Sequence, residues 1–573
     1  MKKLVFLFLA LLLIAFAAAI GGFLLSSKSS TGNLASSSSV LVWRIDRPLV
    51  ERAPSVDTPL FEAEDDSMAT IYRALRGARD DSSVRGVALY IQDVQFGMAK
   101  VQEIRHQIAE LRKKKKFVEC YLETAGEGSN GTVEYYLATA CERIHLAPAG
   151  DVNLLGLLAD NMFLRGTFDK LGIEANFVHI GQFKSAAETF TETENTAPAE
   201  LALNALLDGY FDQIVAGIAE GRKRSPAEVR AWVDGGPYGA DEALKLGMVD
   251  ALGYPDEFQA GLEKRAESVQ FVRLQDYSSD HPTHGHKVGV LFASGSIIRG
   301  SGGSGPFNGD SVASETMAEE LRSLADDDSI RAVVLRIDSP GGSALASDLI
   351  LREVERLQKK KPVIVSMSDL AASGGYYIAA KASKIVAEPA TITGSIGVVG
   401  GKFVTRGLEE EKLGIRHDPL VRGANADIYS SQATFSPEQE ARVLQMMTRI
   451  YETFLGHVAR GRKMPRDKVH EIAQGRVWIG AEALKLGLVD RLGGLDEAIA
   501  LAREAAKEDI GPLALEFRPL EGGWLDFLKE RTEPLLSIEA ERNLRLFLKA
   551  TDPQVPGALR LADPYERLAR GDS

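Results

Sequence analysis

Histidine, cysteine and basic charge are scarce in this chain, and each shortage narrows its possible functions. Of 573 residues, only 9 are histidine and 2 are cysteine, and the formal net charge is −13. This acidic balance argues against nucleic acid as a partner. The histidines grouped in HPTHGHK at 281–287 lack the cysteine or carboxylate pattern that would complete a metal site. We therefore expect no metal, no cofactor and no nucleic-acid partner.

Two common enzyme motifs are also missing. The chain has no G-x-S-x-G elbow and no G-x-x-x-x-G-K-[ST] loop. The first absence, together with the few histidines, argues against a Ser-His-Asp triad. The second argues against a phosphate-binding loop. A serine nucleophile in this chain would need a different base.

The two cysteines, Cys120 and Cys141, both lie in the first half of the chain. Outside the cytoplasm they could pair. One falls in a predicted strand and the other at a predicted helix end, which favours two buried free thiols instead. We expect neither to be catalytic.

The most informative stretch is DLAASGGYY at 369–377. An apolar strand pattern, PVIVSM at 362–367, runs into this turn of small residues, and an Ala-rich helical pattern follows at once. The hydroxyl of Ser373 is thus predicted at a helix start, where amides lack partners and the dipole favours negative charge. Ser373 could attack a carbonyl while the Gly374 N–H receives the developing oxyanion. A helix start that merely lets the backbone pack closely fits the local pattern equally well.

A second glycine turn follows another buried-type strand. Residues 331–342 read RAVVLRIDSPGG, and helical periodicity resumes over 344–357. Gly341 has no side chain to obstruct a substrate, so its N–H could be a second oxyanion donor. An ordinary strand–turn–helix connection of an α/β protein fits the same residues.

The candidate base is Lys184. It stands in HIGQFKSAAE at 179–188, just past the apolar strand pattern ANFVHI. A lysine can activate a serine when burial removes the proton from its ammonium group. Most lysines are solvated surface charges, and the local sequence alone favours that interpretation here.

The chain contains an internal repeat. YLATACERIHLAP at 136–148 parallels YIAAKASKIVAEP at 377–389, and EALKLGMVDALG from Glu242 parallels EALKLGLVDRLG from Glu482. The sequence therefore predicts two copies of one domain.

The copies have diverged where chemistry would lie. The first has Thr132 where the second has Ser373, and QDVQF at 92–96 where the second has DSPGG. The second has Ala426 roughly where the first has Lys184. Each copy keeps what the other lacks, which favours one composite site across a domain interface. Two decayed, inactive copies are the alternative.

These motifs together resemble a known family. RIDSPGG, LAASGGYYIA, PATITGSIGV and GQFKSAAETF are similar to motifs of the signal peptide peptidase A (protease IV) family of Ser–Lys dyad peptidases, in its long tandem-repeat form. The resemblance runs over nearly the whole of 40–510. It implies Ser373 as nucleophile, Lys184 as general base, Gly374 and Gly341 as oxyanion donors, and Ser395 as a serine that helps orient the lysine.

The resemblance also implies the fold and the assembly. The fold is α/β, with tandem ClpP/crotonase-like domains built of stacked β-β-α units. The assembly is a homo-oligomer, a tetramer by resemblance. The implied substrates are remnant signal peptides, which lack a fold and could enter an apolar groove as an extended strand. The Gly-rich segment 295–309 could be a mobile flap of that groove or a plain surface loop.

The N-terminus predicts a membrane anchor. Lys2 and Lys3 precede an uninterrupted apolar run, Leu4–Leu25, long enough to span a bilayer. Ala17–Ala19 offers a cleavage-like site, but the length of the run favours a retained anchor. The leading positive charge places the N-terminus in the cytoplasm and the body on the periplasmic or extracytoplasmic side of the inner (plasma) membrane.

The expected organisation follows from these patterns: a transmembrane signal anchor at 1–25, a Ser/Gly-rich tether at 26–39, the copy with the base at 40–280, the copy with the nucleophile at 287–510 and a C-terminal extension at 511–573. The expected function is a membrane-anchored serine endopeptidase that degrades cleaved signal peptides and other unfolded apolar peptides through an acyl-enzyme. Two alternatives remain open at this point: a non-catalytic membrane-bound scaffold, and an acyl-CoA enzyme of the crotonase fold.

Overall fold

The computed structural model describes residues 38–52, 66–267, 269–277, 285–302, 311–507, 510–511 and 514–519. The predicted transmembrane segment, the tether up to residue 37 and the last part of the predicted C-terminal extension lie outside these residues. Among the helices that are described, none is long and apolar enough to cross a membrane.

The first half of the chain is built on a six-stranded parallel sheet, in the order β10-β6-β5-β4-β1-β11. Its strands, with the short pairs around them, are β1 (Ser39–Ile45), β2 (Leu49–Val50), β3 (Asp66–Ser67), β4 (Val84–Ile91), β5 (Phe117–Leu122), β6 (Arg143–Leu146), β7 (Asp151–Val152), β8 (Glu174–Ile180), β9 (Tyr238–Gly239), β10 (Ala251–Leu252) and β11 (Gln270–Arg273). The helices are α1 (Met68–Asp80), α2 (Met98–Lys113), α3 (Thr132–Ala138), α4 (Arg165–Leu171), α5 (Glu188–Thr191), α6 (Ala197–Arg222), α7 (Pro226–Gly235), α8 (Ala240–Leu246) and α9 (Pro255–Ala266), with a 3-10 turn at Leu274–Asp276.

The second half repeats this plan around the path β20-β18-β16-β15-β12-β22, with β17 pairing to β16 and β21 pairing to β17. Its strands are β12 (Lys287–Ser294), β13 (Ser296–Ile298), β14 (Ser311–Ala313), β15 (Ile330–Ser339), β16 (Val363–Ala372), β17 (Lys384–Ala387), β18 (Ile392–Gly394), β19 (Val398–Val404), β20 (Val477–Ile479), β21 (Arg491–Leu492) and β22 (Leu515–Arg518). The helices are α10 (Ser314–Asp326), α11 (Ala344–Gln358), α12 (Gly374–Ala379), α13 (Pro437–Arg462), α14 (Arg466–Ile472), α15 (Gly480–Lys485) and α16 (Leu495–Ala506), with a π turn at Leu408–Lys412.

The near-continuous apolar runs in the sequence become central strands buried on both faces. β4, β5 and β15 are almost entirely buried, as expected of parallel strands covered by helices on both sides. The edge strand β22 pairs with β12 as β11 pairs with β1. The second sheet therefore continues into the stretch predicted as the C-terminal extension.

The repeat is visible in how matching helices begin and end. Helices α6 and α13 are both 26 residues long and have a proline in the first turn. Each is capped by a hydroxyl, that of Thr196 or Ser436, which accepts a hydrogen bond from an amide of the first turn. Each also ends at a left-handed lysine, Lys223 or Lys463. The same local interactions thus set the start and the end of this helix in both copies.

The two halves are joined next to the candidate site. Strand β8 of the first half pairs antiparallel with β19 of the second, in register from Ile180–Val398 to Glu174–Val404. An apolar cluster completes the contact, since Tyr72 of α1 packs with Leu495 of α16 and with strands of the second sheet. The β8–β19 pair brings the segment after β8, with Lys184, beside the segment before β19, with Ser395.

The prediction of two free thiols is wrong. Cys120 in β5 and Cys141 just after α3 form a disulfide, with their Cα atoms 5.9 Å apart. The pairing results from tertiary structure. Strands β5 and β6 pair in parallel with Cys120 opposite Ile144, and this register brings the segment after α3, with Cys141, beside β5.

Candidate active site

Ser373 lies at the junction of β16 and α12, the strand–turn–helix that the sequence predicts. Its backbone has φ 55° and ψ −115°, a region that residues with a Cβ rarely adopt. Its amide donates to the carbonyl of Gly394 at 2.9 Å, which holds the turn against β18. The surrounding strands therefore maintain this strained backbone conformation.

Lys184 reaches this turn from the first half of the chain. Its segment is fixed to the second half, because the amide of Phe183 donates to the carbonyl of Gln474 at 2.9 Å. Gly475, at φ 80°, lies directly against the lysine: a Cβ built there would be 2.6 Å from the Lys184 Cβ. The backbone of the second half thus sets the position of a side chain from the first.

The two candidate residues meet. Lys184 Nζ lies 3.1 Å from Ser373 Oγ, 2.9 Å from Ser395 Oγ and 3.3 Å from the Ser395 carbonyl oxygen. The lysine is only 8% exposed, so it is not the solvated surface charge that its local sequence favours. The structure thus brings together three predicted site residues, although Ser373 and Ser395 lie 189 and 211 residues from Lys184 in the sequence.

Burial lowers the pKa of Lys184 to about 8, because an ammonium ion is poorly solvated in this position. Within the described part of the chain, no carboxylate lies close enough to Nζ to offset this effect. A substantial share of the amine is therefore neutral near physiological pH. A neutral amine next to a serine hydroxyl can accept its proton.

The glycine turns of the two strands pack against each other. Gly374 begins α12, and a Cβ on Gly341 (φ 97°) would lie 2.4 Å from the Gly374 nitrogen, so only glycine fits there. The Gly341 N–H itself donates to Ser339 Oγ at 3.1 Å. Gly342 and Gly374 both line the cavity that contains Ser373, and neither amide has an acceptor among the described residues. Gly342, which the sequence analysis did not select, is thus a further candidate donor; its only signal is the doubled glycine of DSPGG.

Strand β13 braces the same turn. The Ile297 amide donates to the Gly341 carbonyl and the Ser343 amide donates to the Ile297 carbonyl, each at 2.8 Å. This strand belongs to the predicted flap at 295–309, of which the structure describes residues 295–302 and the remainder lies outside the described residues. In its described part, the segment therefore fixes the glycine turn.

A cavity of about 420 Å³ opens at Ser373 and Lys184. Its walls are mainly apolar and come from β19, the loop after it and helix α13. The side chains that form these walls are Val398, Val399, Tyr429, Phe435, Val443, Met446, Met447, Ile450 and Phe454. Periodicity in one sequence could not reveal this set, because its members come from three segments that meet only in the folded chain.

In the first copy, the residue at the position of Ser373 is buried. Thr132, at the position of Ser373, is 1% exposed, and its hydroxyl accepts the amides of Leu155 and Gly156 at 3.1 and 3.0 Å. The same hydroxyl donates to Asn130 at 2.6 Å. All of its hydrogen-bonding capacity serves the local fold, so Thr132 has a structural role.

Comparison with known proteins identifies the family of the chain. Residues 110–269 and 355–509 match peptidase family S49. The chain belongs to this family. The two matched segments contain Lys184 and Ser373 respectively. The resemblance drawn from the four motifs is thereby confirmed, and it places the chain among the serine-type endopeptidases.

Three relatives illustrate the similarity. The chain is 36% identical to "Serine protease SPPA, chloroplastic" of Arabidopsis thaliana over 74% of its own length and 64% of that protein. It is 32% identical to "Protease 4" of Salmonella typhi, over 81% of this chain and 77% of the relative. It is 31% identical to "Protease 4" of Haemophilus influenzae, over 76% and 72%. The chain thus spans a little under two thirds of the Arabidopsis relative.

Proposed function

We propose that this family member is a signal peptide peptidase that works by a Ser–Lys dyad, with Ser373 as nucleophile and Lys184 as general base. The observation that carries the proposal is the 3.1 Å contact between Lys184 Nζ and Ser373 Oγ, made by a lysine that is only 8% exposed. Ser395 orients the amine through its hydroxyl at 2.9 Å.

The reaction is an acyl transfer in two halves. Ser373 Oγ attacks the peptide carbonyl while its proton passes to the neutral amine of Lys184. The oxyanion is received by the N–H groups of Gly374 and Gly342, because the N–H of Gly341, the other predicted donor, already donates to Ser339 Oγ. The resulting ammonium of Lys184 gives its proton to the leaving amine, and the acyl-enzyme forms as the C–N bond breaks. Water then loses a proton to the same lysine and attacks the acyl carbon. The bond from this carbon to Ser373 Oγ breaks, the proton of Lys184 returns to Oγ, and the acid is released.

The shape and polarity of the cavity favour unfolded apolar peptides. Its walls are mainly aliphatic and aromatic, and Ser373 and Lys184 lie in the same lining. An extended peptide offers alternate side chains to such a groove and fits small or aliphatic residues at the cut bond. Remnant signal peptides have this composition. We also propose that the halves are tandem ClpP/crotonase-like domains, at 40–280 and 287–510.

Membrane attachment and self-association belong to the same proposal. The apolar run at 4–25 supports a single-pass anchor in the inner membrane with the catalytic body on the extracytoplasmic side. The disulfide supports an oxidising compartment. Large apolar side chains that are exposed in both halves, such as Leu158 (86%) and Leu420 (89%), support a homo-oligomer.

Labelling with a fluorophosphonate tests the dyad. The full chain should be labelled, and Ser373→Ala and Lys184→Ala should abolish the labelling. Lys170→Ala, which removes an exposed lysine of the same half, should have no effect. The labelling rate should rise with pH through about 8, as Lys184 loses its proton. Labelling that survives Lys184→Ala would refute the dyad, and an unlabelled wild type would favour a non-catalytic scaffold.

A further inference from the structure

A buried cluster of charged side chains lies where the two halves meet, next to the catalytic turns. It combines two cations with four carboxylates. Lys100 and Arg336 are 6% and 1% exposed. The first half contributes Glu51, Lys100 and Glu103, and the second contributes Arg336, Asp338 and Asp369.

The Arg336 part of the cluster is satisfied without the catalytic turns. Its guanidinium donates to Glu51 and to Glu103 at 2.8 Å, and to the hydroxyls of Ser366 and Ser368 at 2.9 and 3.0 Å. These contacts fasten the centre of β15 to the first half. In the second half, these contacts involve residues within β15 and β16 and not the turns that follow the two strands.

Lys100 has a different position. Its ammonium lies 2.7 Å from Asp338, 3.4 Å from Asp369 and 3.5 Å from Glu51. Burial opposes the charge of Lys100, but these carboxylates outweigh burial and raise the pKa of its ammonium. Asp338 stands three residues before Gly341, and Asp369 stands four residues before Ser373. One cation therefore links the two strand ends that carry the oxyanion donors and the nucleophile.

The carboxylates of these two strand ends make further contacts that set their spacing. Asp338 accepts the amide of Leu370 at 3.1 Å, beside the register shift between β15 and β16. Asp369 accepts the amides of Gly97 and Lys100 at 3.1 and 3.0 Å, and so caps helix α2 of the other half. A Cβ on Gly97 would lie 2.3 Å from the Asp369 carboxyl carbon, so glycine is required for this contact.

The internal repeat explains why Lys100 of the first copy contacts the turns of the second. Residues 92–96 of the first copy replace the DSPGG turn of the second, and they lead directly into Gly97 and α2. The first copy has lost the glycine turn at this point. The start of the helix that follows it now holds the corresponding turn of the second copy through Lys100.

On the basis of the proposed Ser–Lys mechanism, we propose that Lys100 is a positioning residue for catalysis. Its ammonium fixes the distance between the glycine turn at Gly341–Gly342 and the strand end at Ser373, through Asp338 and Asp369. It contacts neither substrate nor the reacting atoms. Loss of Lys100 should therefore reduce transition-state stabilisation more than substrate binding.

The test compares steady-state cleavage of a quenched fluorescent apolar peptide by the full chain and its variants. Lys100→Met should lower kcat by about 10- to 100-fold, the loss expected when reacting groups move by up to an ångström, with KM changed less than about twofold. Lys100→Arg should recover part of kcat. Arg79→Met is the matched control, because it removes another cation of the first half from Asp496 of the second. It should lower the melting temperature and leave kcat within about twofold.

The outcomes separate the two proposals. An unchanged kcat in Lys100→Met, an effect confined to KM, or an equal loss of kcat in Arg79→Met would overturn the positioning role. If Lys100→Met does not fold, Asp338→Asn decides instead, since its amide oxygen still accepts the Leu370 N–H while the ion pair is lost, and kcat should fall at unchanged KM. Cleavage that persists in Ser373→Ala would refute the dyad itself, whatever Lys100 does.

Discussion

Replacing Lys184 by methionine should make this protein more stable at neutral pH while it abolishes activity. The native fold places the amine where it is 8% exposed and has only hydroxyl and carbonyl partners. Burial of an unpaired ammonium ion costs free energy, which appears as the lowered pKa of Lys184. Methionine has a similar shape and no charge, so the variant avoids this cost.

The magnitude follows from the pKa. The group falls from its ordinary value of 10.5 to about 8 in the folded chain. Between these values the unfolded chain binds more protons than the native one, so the free energy of unfolding rises with pH across this window. Below about pH 8 the full penalty applies, about 3 kcal/mol at one pKa unit per 1.36 kcal/mol. About 2 kcal/mol of it should be recovered between about pH 7 and about pH 9.5.

The assay is denaturant unfolding of wild type and Lys184→Met at a series of pH values. The difference in unfolding free energy should favour the variant at neutral pH and shrink as the pH rises. Ser373→Ala is the control, because it removes the nucleophile and keeps the buried amine, and it should show the pH dependence of the wild type. A difference that does not vary with pH, or a variant less stable than wild type near neutrality, would refute the reasoning.

Two further substitutions test the site from different sides. Gly475→Ala should lower kcat/KM by about 100-fold, because its Cβ would displace the backbone of Lys184. Gly128→Ala is the control, because Gly128 also has a positive φ but has open space around it. This control should lose about 1 kcal/mol of stability from backbone strain and keep its kcat/KM. A Gly475→Ala variant with the kcat/KM of the wild type would contradict this prediction. Adding Thr132→Ser to Ser373→Ala should restore no fluorophosphonate labelling, since the Thr132 hydroxyl is already used by two backbone amides. Any labelling of that double variant would show that the first copy retains an open site.

Much of the plan was predictable from the sequence because it depends on local chemistry and on self-similarity. The tandem copies, the strand–turn–helix at Ser373 and the glycine turn before α11 are each written in a continuous segment. The pairing of Cys120 with Cys141 was not predictable in this way. It depends on the parallel register of β5 and β6, which no short segment specifies.

The sequence by itself determined which residues are candidates: a serine at a strand-to-helix turn, glycines that admit close packing, and a lysine kept by one copy only. The tertiary structure decided the charge state of the lysine among them. Lys184 and Lys100 are the same amino acid and both are buried, yet the pKa of the first is lowered and that of the second is raised. The difference is the presence of carboxylates. They reach Lys100 from distant segments, whereas none of the described carboxylates pairs with Lys184. Charge state depends on these long-range contacts, and the linear chain does not contain them.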